Sequence, residues 1–235
     1  MKHPLKESFL FYTRHIESML LISAVVVLPF LLIHNYAVNT INFMASFTGA
    51  KIVSGYFNLF LLLLFITIVQ LPFAQFVQNH LDGEERPVRQ ALGSFLDNGF
   101  SLFVFSVVYV LAVSTGMLLF LVPGLVILVL FYLTPYLMVI KKQPVKESWK
   151  KAFGVGKKHF FPILGVILLA SVVEWIIGLI GLYTVTYITT SFGAVLFTQI
   201  LLNVIIFPLI AVIFTMYTHK WMDESKSAES EPLEG

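Results

Sequence analysis

The sequence predicts an all-α, polytopic membrane protein, with six transmembrane helices in three repeats of an amphipathic helix plus a helical hairpin. Three observations carry this reading. Of 235 residues, 58% are hydrophobic and 12% charged, against about 45–50% and about 25% in a soluble domain. Long stretches contain no Asp, Glu, Lys or Arg. Between them, a short polar pattern opening on proline recurs. The same composition excludes other classes. An aromatic content of 15% rules out a disordered chain. The absence of cysteine removes disulfide frameworks, thiolate metal sites and cysteine nucleophiles. A net charge of +2 is too small for a nucleic-acid partner.

The spans follow in chain order. A bilayer core about 30 Å thick calls for roughly 20 mostly apolar residues per helix. Ser18–Ala50 is free of the four charged types and most apolar over Met19–Ile33, which predicts a helix over 17–34. Ile52–Asn79 is equally free of them and predicts 56–78. Asn98–Ile140 runs for 43 such residues, enough for helices over 100–121 and 125–140. Val122-Pro123-Gly124 supplies the expected turn between these two. Phe160–Thr218 holds one acid, Glu174, in 59 residues. Its threonine-rich break at Thr184–Ser191 separates 160–183 from 193–218. His34-Asn35-Tyr36 after the first helix is not a small-residue cleavage site, so that helix is expected to be retained.

Orientation follows from the basic residues. Lys51 lies on one side of the predicted spans and the other 14 of 15 Lys and Arg on the opposite side. The positive-inside rule then places both termini in the cytoplasm, and an even number of spans is consistent with termini on one side.

Pro4-Leu5-Lys6-Glu7-Ser8 and Pro144-Val145-Lys146-Glu147-Ser148 match almost residue for residue, and Pro87-Val88-Arg89 opens a third copy. Proline suits the first turn of a helix, where its missing N–H would be unpaired anyway. Apolar residues follow at helical spacing. They are Leu5, Phe9, Tyr12 and Ile16; Val88, Leu92, Phe95 and Leu96; then Val145, Trp149, Ala152 and Phe153. Each such helix precedes two spans, the second carrying Pro72, Pro135 or Pro208. One transmembrane domain over 1–219 is expected, with repeats at about 4–78, 87–140 and 144–219. The segment 220–235, poor in apolar residues, is expected to be a disordered cytoplasmic tail. In the third copy Trp149, Lys146, Lys150, Lys151, Lys157 and Lys158 are candidate contacts to lipid headgroups. Topology alone would also select these lysines.

Phe131-Tyr132-Leu133-Thr134-Pro135-Tyr136-Leu137, a short polar turn, the Pro144–Trp149 pattern, Lys150-Lys151-Ala152-Phe153 and a new apolar stretch from Phe160 form a sequence of features. Over roughly 120–175 this resembles the membrane domain attached to some bacterial glycerophosphodiester phosphodiesterases, and related stand-alone membrane proteins. The resemblance implies a bacterial cytoplasmic membrane and a multi-helix architecture. It transfers no enzymatic activity, because that activity belongs to a separate soluble barrel for which this chain has no room.

No phosphate-binding loop, metalloprotease helix or nucleophile elbow is present. No catalytic residue, metal ligand set or cofactor is expected. The six histidines are scattered singly, and an interfacial role suits them. Glu174 stands apart, since a carboxyl at mid-bilayer is costly and faces a bundle interior or cavity by default. Gln199 and Asn203, four residues apart, present one helix face at similar depth, and Gln70 is a further neighbour. Two readings remain open. These residues form a polar site for a proton or headgroup, or Glu174 bonds Gln199 or Asn203 as a link between helices. The lack of a second ionisable group in the spans leans toward the link.

The expected function is therefore non-enzymatic. Membrane lipid, a protein partner or a second copy would be what it acts through, in an accessory, regulatory or immunity-type role. The alternative is a small transporter or permease subunit with a polar site around Glu174.

Overall fold

The computed structural model describes residues 3–229, with side chains as far as Ser225. Among these residues the chain is helical and has no strand. Six helices are long and apolar enough to cross a membrane: Ile16–Thr48, Lys51–Leu81, Pro87–Leu119, Leu121–Lys141, Phe160–Ile188 and Phe192–Ser225. The predicted class and number of spans are both present. The helices outrun the predicted limits because scattered polar residues do not stop them. Asn35, Asn39 and Asn42 all lie within the first, which closes only at Gly49, whose φ of 71° suits a glycine cap.

The chain begins with α1 (Pro4–Arg14) and α2 (Ile16–Ile22), separated at His15. A π turn over Ser23–Val27 leads into α3 (Leu28–Thr48). That wide turn sits just ahead of Pro29, whose ring and missing N–H disturb the preceding ladder. α4 (Lys51–Leu81) is followed by α5 (Pro87–Leu119), α6 (Leu121–Phe131), α7 (Thr134–Lys141) and α8 (Val145–Lys158). α9 (Phe160–Ile188) and α10 (Phe192–Glu229) complete the fold.

α4 lies at the centre. One of its faces packs Phe65, Val69, Phe73 and Phe76 with Met19, Val27, Phe207 and Val212. Another sets Leu71 and Ala74 against Leu133, Leu137 and Phe214. α9 is peripheral and has one buried residue, Ile163. Buried tyrosines support the broken helices. Tyr12 donates its hydroxyl to the Ile205 carbonyl at 2.7 Å, in the turn that Pro208 loosens. Tyr109 donates to the Leu128 carbonyl at 2.9 Å, just before the break at Tyr132–Leu133.

Three expectations are corrected. The second amphipathic segment is not a separate helix, because α5 runs unbroken from Pro87 through Leu119. α1 and α8 end at His15 and His159, with φ of −118° and −114°. In α5 the Asn98 amide bonds back to the Ser94 carbonyl at 3.1 Å and the helix continues. The turn between the third and fourth spans falls at Phe120, which is extended, and Pro123 and Gly124 sit in the first turn of α6. Proline is tolerated there. Close crossing decides the geometry, since a Cβ on Gly124 would lie 2.5 Å from the Met117 nitrogen. Finally, α10 continues through Glu229, so the segment from Lys220 is helical as far as it is described. Trp221 and Met222 are buried and give that extension its packing. Residues 230–235 lie outside the described residues.

The amphipathic helices bury only part of the apolar face read from the sequence, namely Tyr12, Val145 and Ala152. Pro4, Ser8 and Tyr12 of α1 are buried, whereas Leu5 and Phe9 are exposed. Val145, Ser148, Ala152 and Gly156 of α8 are buried, whereas Trp149 and Phe153 are exposed. Small side chains let these helices approach their neighbours closely, and the larger apolar groups remain outside. Ser8 and Ser148 return their hydroxyls to the carbonyls of Pro4 and Pro144, at 2.7 and 3.0 Å. Ala91, at the same distance after Pro87, is fully buried too.

Candidate functional site

Four strands of argument from the sequence meet at one place in the bundle. α4 contributes Gln70, α9 contributes Glu174, and α10 contributes Gln199 and Asn203; all four border one cavity of about 260 Å³. The cavity also takes His34 and Asn35 from α3, Tyr132 from the break after α6, and Tyr136 from α7. Its apolar wall includes Phe65, Phe207 and Phe214. On α10, Asn203, Phe207, Ile210 and Phe214 follow at helical spacing, so one face of that helix forms a whole side of the cavity.

The hydrogen bonding is incomplete. Gln70 is 2% exposed and donates its amide to the Tyr132 hydroxyl at 3.4 Å. Its Oε1 and His34 Nδ1 are buried with no partner, while the Tyr136 hydroxyl lies against that of Tyr132. A buried polar group left unpaired costs about 1–3 kcal/mol. Two around one cavity therefore favour a polar occupant. Glu174 forms no hydrogen bond or ion pair with any described residue. The Asn203 amide bonds the Gln199 carbonyl of its own helix at 2.8 Å. The helix-linking bonds from Glu174 to Gln199 or Asn203 are thus not formed.

Glu174, Gln199 and Asn203 also border a second, more open groove of about 300 Å³ between α9 and α10, with Gly178, Leu182 and Ile206. These three polar residues are shared by the cavity and the groove.

Sequence reasoning missed His34, Tyr132 and Tyr136. His34 was expected at an interface, but it is a second ionisable group beside Glu174's cavity. The usable signals were a histidine within an apolar stretch, and two tyrosines four residues apart flanking a proline.

The candidate headgroup contacts are all exposed. Trp149, Lys146, Lys150, Lys151, Lys157 and Lys158 lie on the outer faces of α8. Lys151 donates to Gln143 Oε1 at 2.6 Å, and Lys158 to the Glu224 carbonyl at 3.4 Å. Lys142 pairs with Asp82 at 3.0 Å and holds its carboxyl below the usual range. At the same end of the bundle, His15 meets His80 with ring centroids 4.2 Å apart. Burial, then His80 and Arg14, push the His15 imidazole below its ordinary range. No group of three or more metal-ligating side chains occurs among the described residues.

Comparison with protein-family models, curated proteins and solved structures found no match for this chain.

Proposed function

We propose that this chain is a non-enzymatic, multi-pass protein of the bacterial cytoplasmic membrane that admits a small polar ligand to a cavity within the bilayer, as a transporter or permease subunit does. The observation that carries this reading is the convergence of Gln70, Glu174, Gln199 and Asn203 on one cavity with two unpaired polar atoms, on Gln70 and His34. Buried unpaired groups are costly, and a site built to receive a ligand is the usual reason to keep them. The groove between α9 and α10 supplies a lateral approach.

Both termini are placed in the cytoplasm, on the lysine distribution. The resemblance to phosphodiesterase-associated membrane domains is part of the same proposal and contributes location alone. A threefold repeat is supported by the buried small residues Ser8, Ala91 and Ser148. A second reading, action through lipid or a protein partner, is favoured by the exposed lysines and Trp149 of α8.

The test is flux. The purified chain in proteoliposomes should speed the passage of at least one solute from a panel of small cations, anions and neutral polar compounds. Glu174→Gln should slow that flux by about tenfold, equivalent to about 1.4 kcal/mol. Flux no faster than in empty liposomes for every solute, or equal flux in Glu174→Gln, would overturn the proposal.

A further inference from the structure

The cavity's own chemistry selects its ligand. Resting on the reading of this cavity as a ligand site, we propose that it binds an organic cation, a protonated or quaternary amine carried on an apolar group.

The argument begins with charge. Neither lysine nor arginine is among the residues that line the cavity. A phosphate or carboxylate entering it would meet the Glu174 carboxyl and, on the basic side, the single His34 imidazole, so low-dielectric surroundings disfavour an anion there. The carboxyl itself has no partner among the described residues. An ammonium supplies the missing counter-charge, and Gln70 Oε1, an unpaired acceptor 2% exposed through its residue, adds a hydrogen-bond site for it.

Aromatic faces strengthen the case. Tyr132 and Phe214 pack with centroids 4.7 Å apart, and Tyr136 lies 5.9 Å from Phe214. Phe65 and Phe207, at 6.0 Å, form a second group. Rings around a cavity attract cations through their negative faces, most strongly when water is excluded. The same rings bury the hydrocarbon part of an amine. A bare metal ion is a poorer fit, because it needs several oxygen ligands and most main-chain carbonyls here are committed to helices.

The size agrees with a compact ligand. About 260 Å³ lies just below the usual range of about 300–1,000 Å³ for small-molecule pockets. Entry from the bilayer past Gly178 suits an amphiphilic cation, since a Cβ built on Gly178 meets nothing within 4 Å and the groove is open there.

Benzyltrimethylammonium is a suitable probe, with its neutral isostere neopentylbenzene and with benzoate as controls. The full chain in detergent should gain thermal stability with the cation, by mass action, and gain none with either control. Glu174→Gln should weaken binding by about tenfold or more, while Glu174→Asp retains most of it. A second measurement uses the wild-type chain alone. Dicyclohexylcarbodiimide should modify Glu174, read by mass spectrometry, and the cation should protect it. Binding of benzoate or neopentylbenzene in preference to the cation would overturn the cation assignment and leave the ligand cavity standing. Failure of all three probes to stabilise the chain or protect Glu174 would overturn both.

Discussion

His15 shows how a single side chain links backbone, packing and pH. It interrupts the helix between α1 and α2, and its ring lies among Phe11, Phe76 and His80. Arg14 adjoins it, and the His15 Nε2 is buried without a partner. Burial lowers its pKa from 6.5, so between that lowered value and 6.5 the unfolded chain binds more protons than the folded one. Stability from this site is complete above about pH 6.5 and is lost as pH falls through the window. His159 is shifted the same way, chiefly by burial, and adds to the slope. Asp82 titrates below 3.8 and does not contribute there. Thermal unfolding in detergent should therefore move to lower temperature between pH 6.5 and 5.5, and His15→Gln should flatten that dependence. An unchanged slope in the variant would refute the assignment. At this scale the sequence was partly legible. Glu174, Gln70, Gln199 and Asn203 announced themselves as polar groups in apolar stretches. His15 and His34 did not, because an isolated histidine has the same appearance at an interface, in a core and at a cavity.

Among the elements, α8 demonstrates that spacing reveals a helix more readily than it reveals the inward face. Of the apolar residues Val145, Trp149, Ala152 and Phe153, only Val145 and Ala152 are buried, and Ser148 and Gly156 join them on the inward face. A Cβ on Gly156 would lie 2.7 Å from the Leu130 carbonyl oxygen and 2.8 Å from its Cα, both backbone atoms that cannot swing aside. Gly156→Ala should thus destabilise by about 1–3 kcal/mol through overpacking. Gly154, two residues earlier, has open space at the same position. Gly154→Ala should stabilise by up to about 1 kcal/mol through helix propensity. Thermal melts of the two variants should move in opposite directions, and a shared direction would contradict this packing of α8 against α6.

For the whole molecule, the orientation proposal makes a direct demand that the absence of cysteine renders easy to check. Lys51→Cys and Lys150→Cys each introduce a single thiol, both at exposed positions. An impermeant maleimide applied to intact cells should label the first and spare the second. Labelling at 150 from outside would invert the topology. Exposure of α9, which buries only Ile163, is the ordinary condition of a helix surrounded by lipid.

Composition and charge-free length determined on their own that six helices of this chain suit a membrane, because hydrocarbon demands long apolar segments whose backbone bonds are internally satisfied. Local sequence also marked the proline-led helix starts. What the tertiary structure alone decided was convergence. Gln70 on α4 lies far along the chain from Glu174 and Asn203 on the consecutive helices α9 and α10, and no periodicity within a helix states which neighbour it will face. Packing around α4 brought them to one cavity.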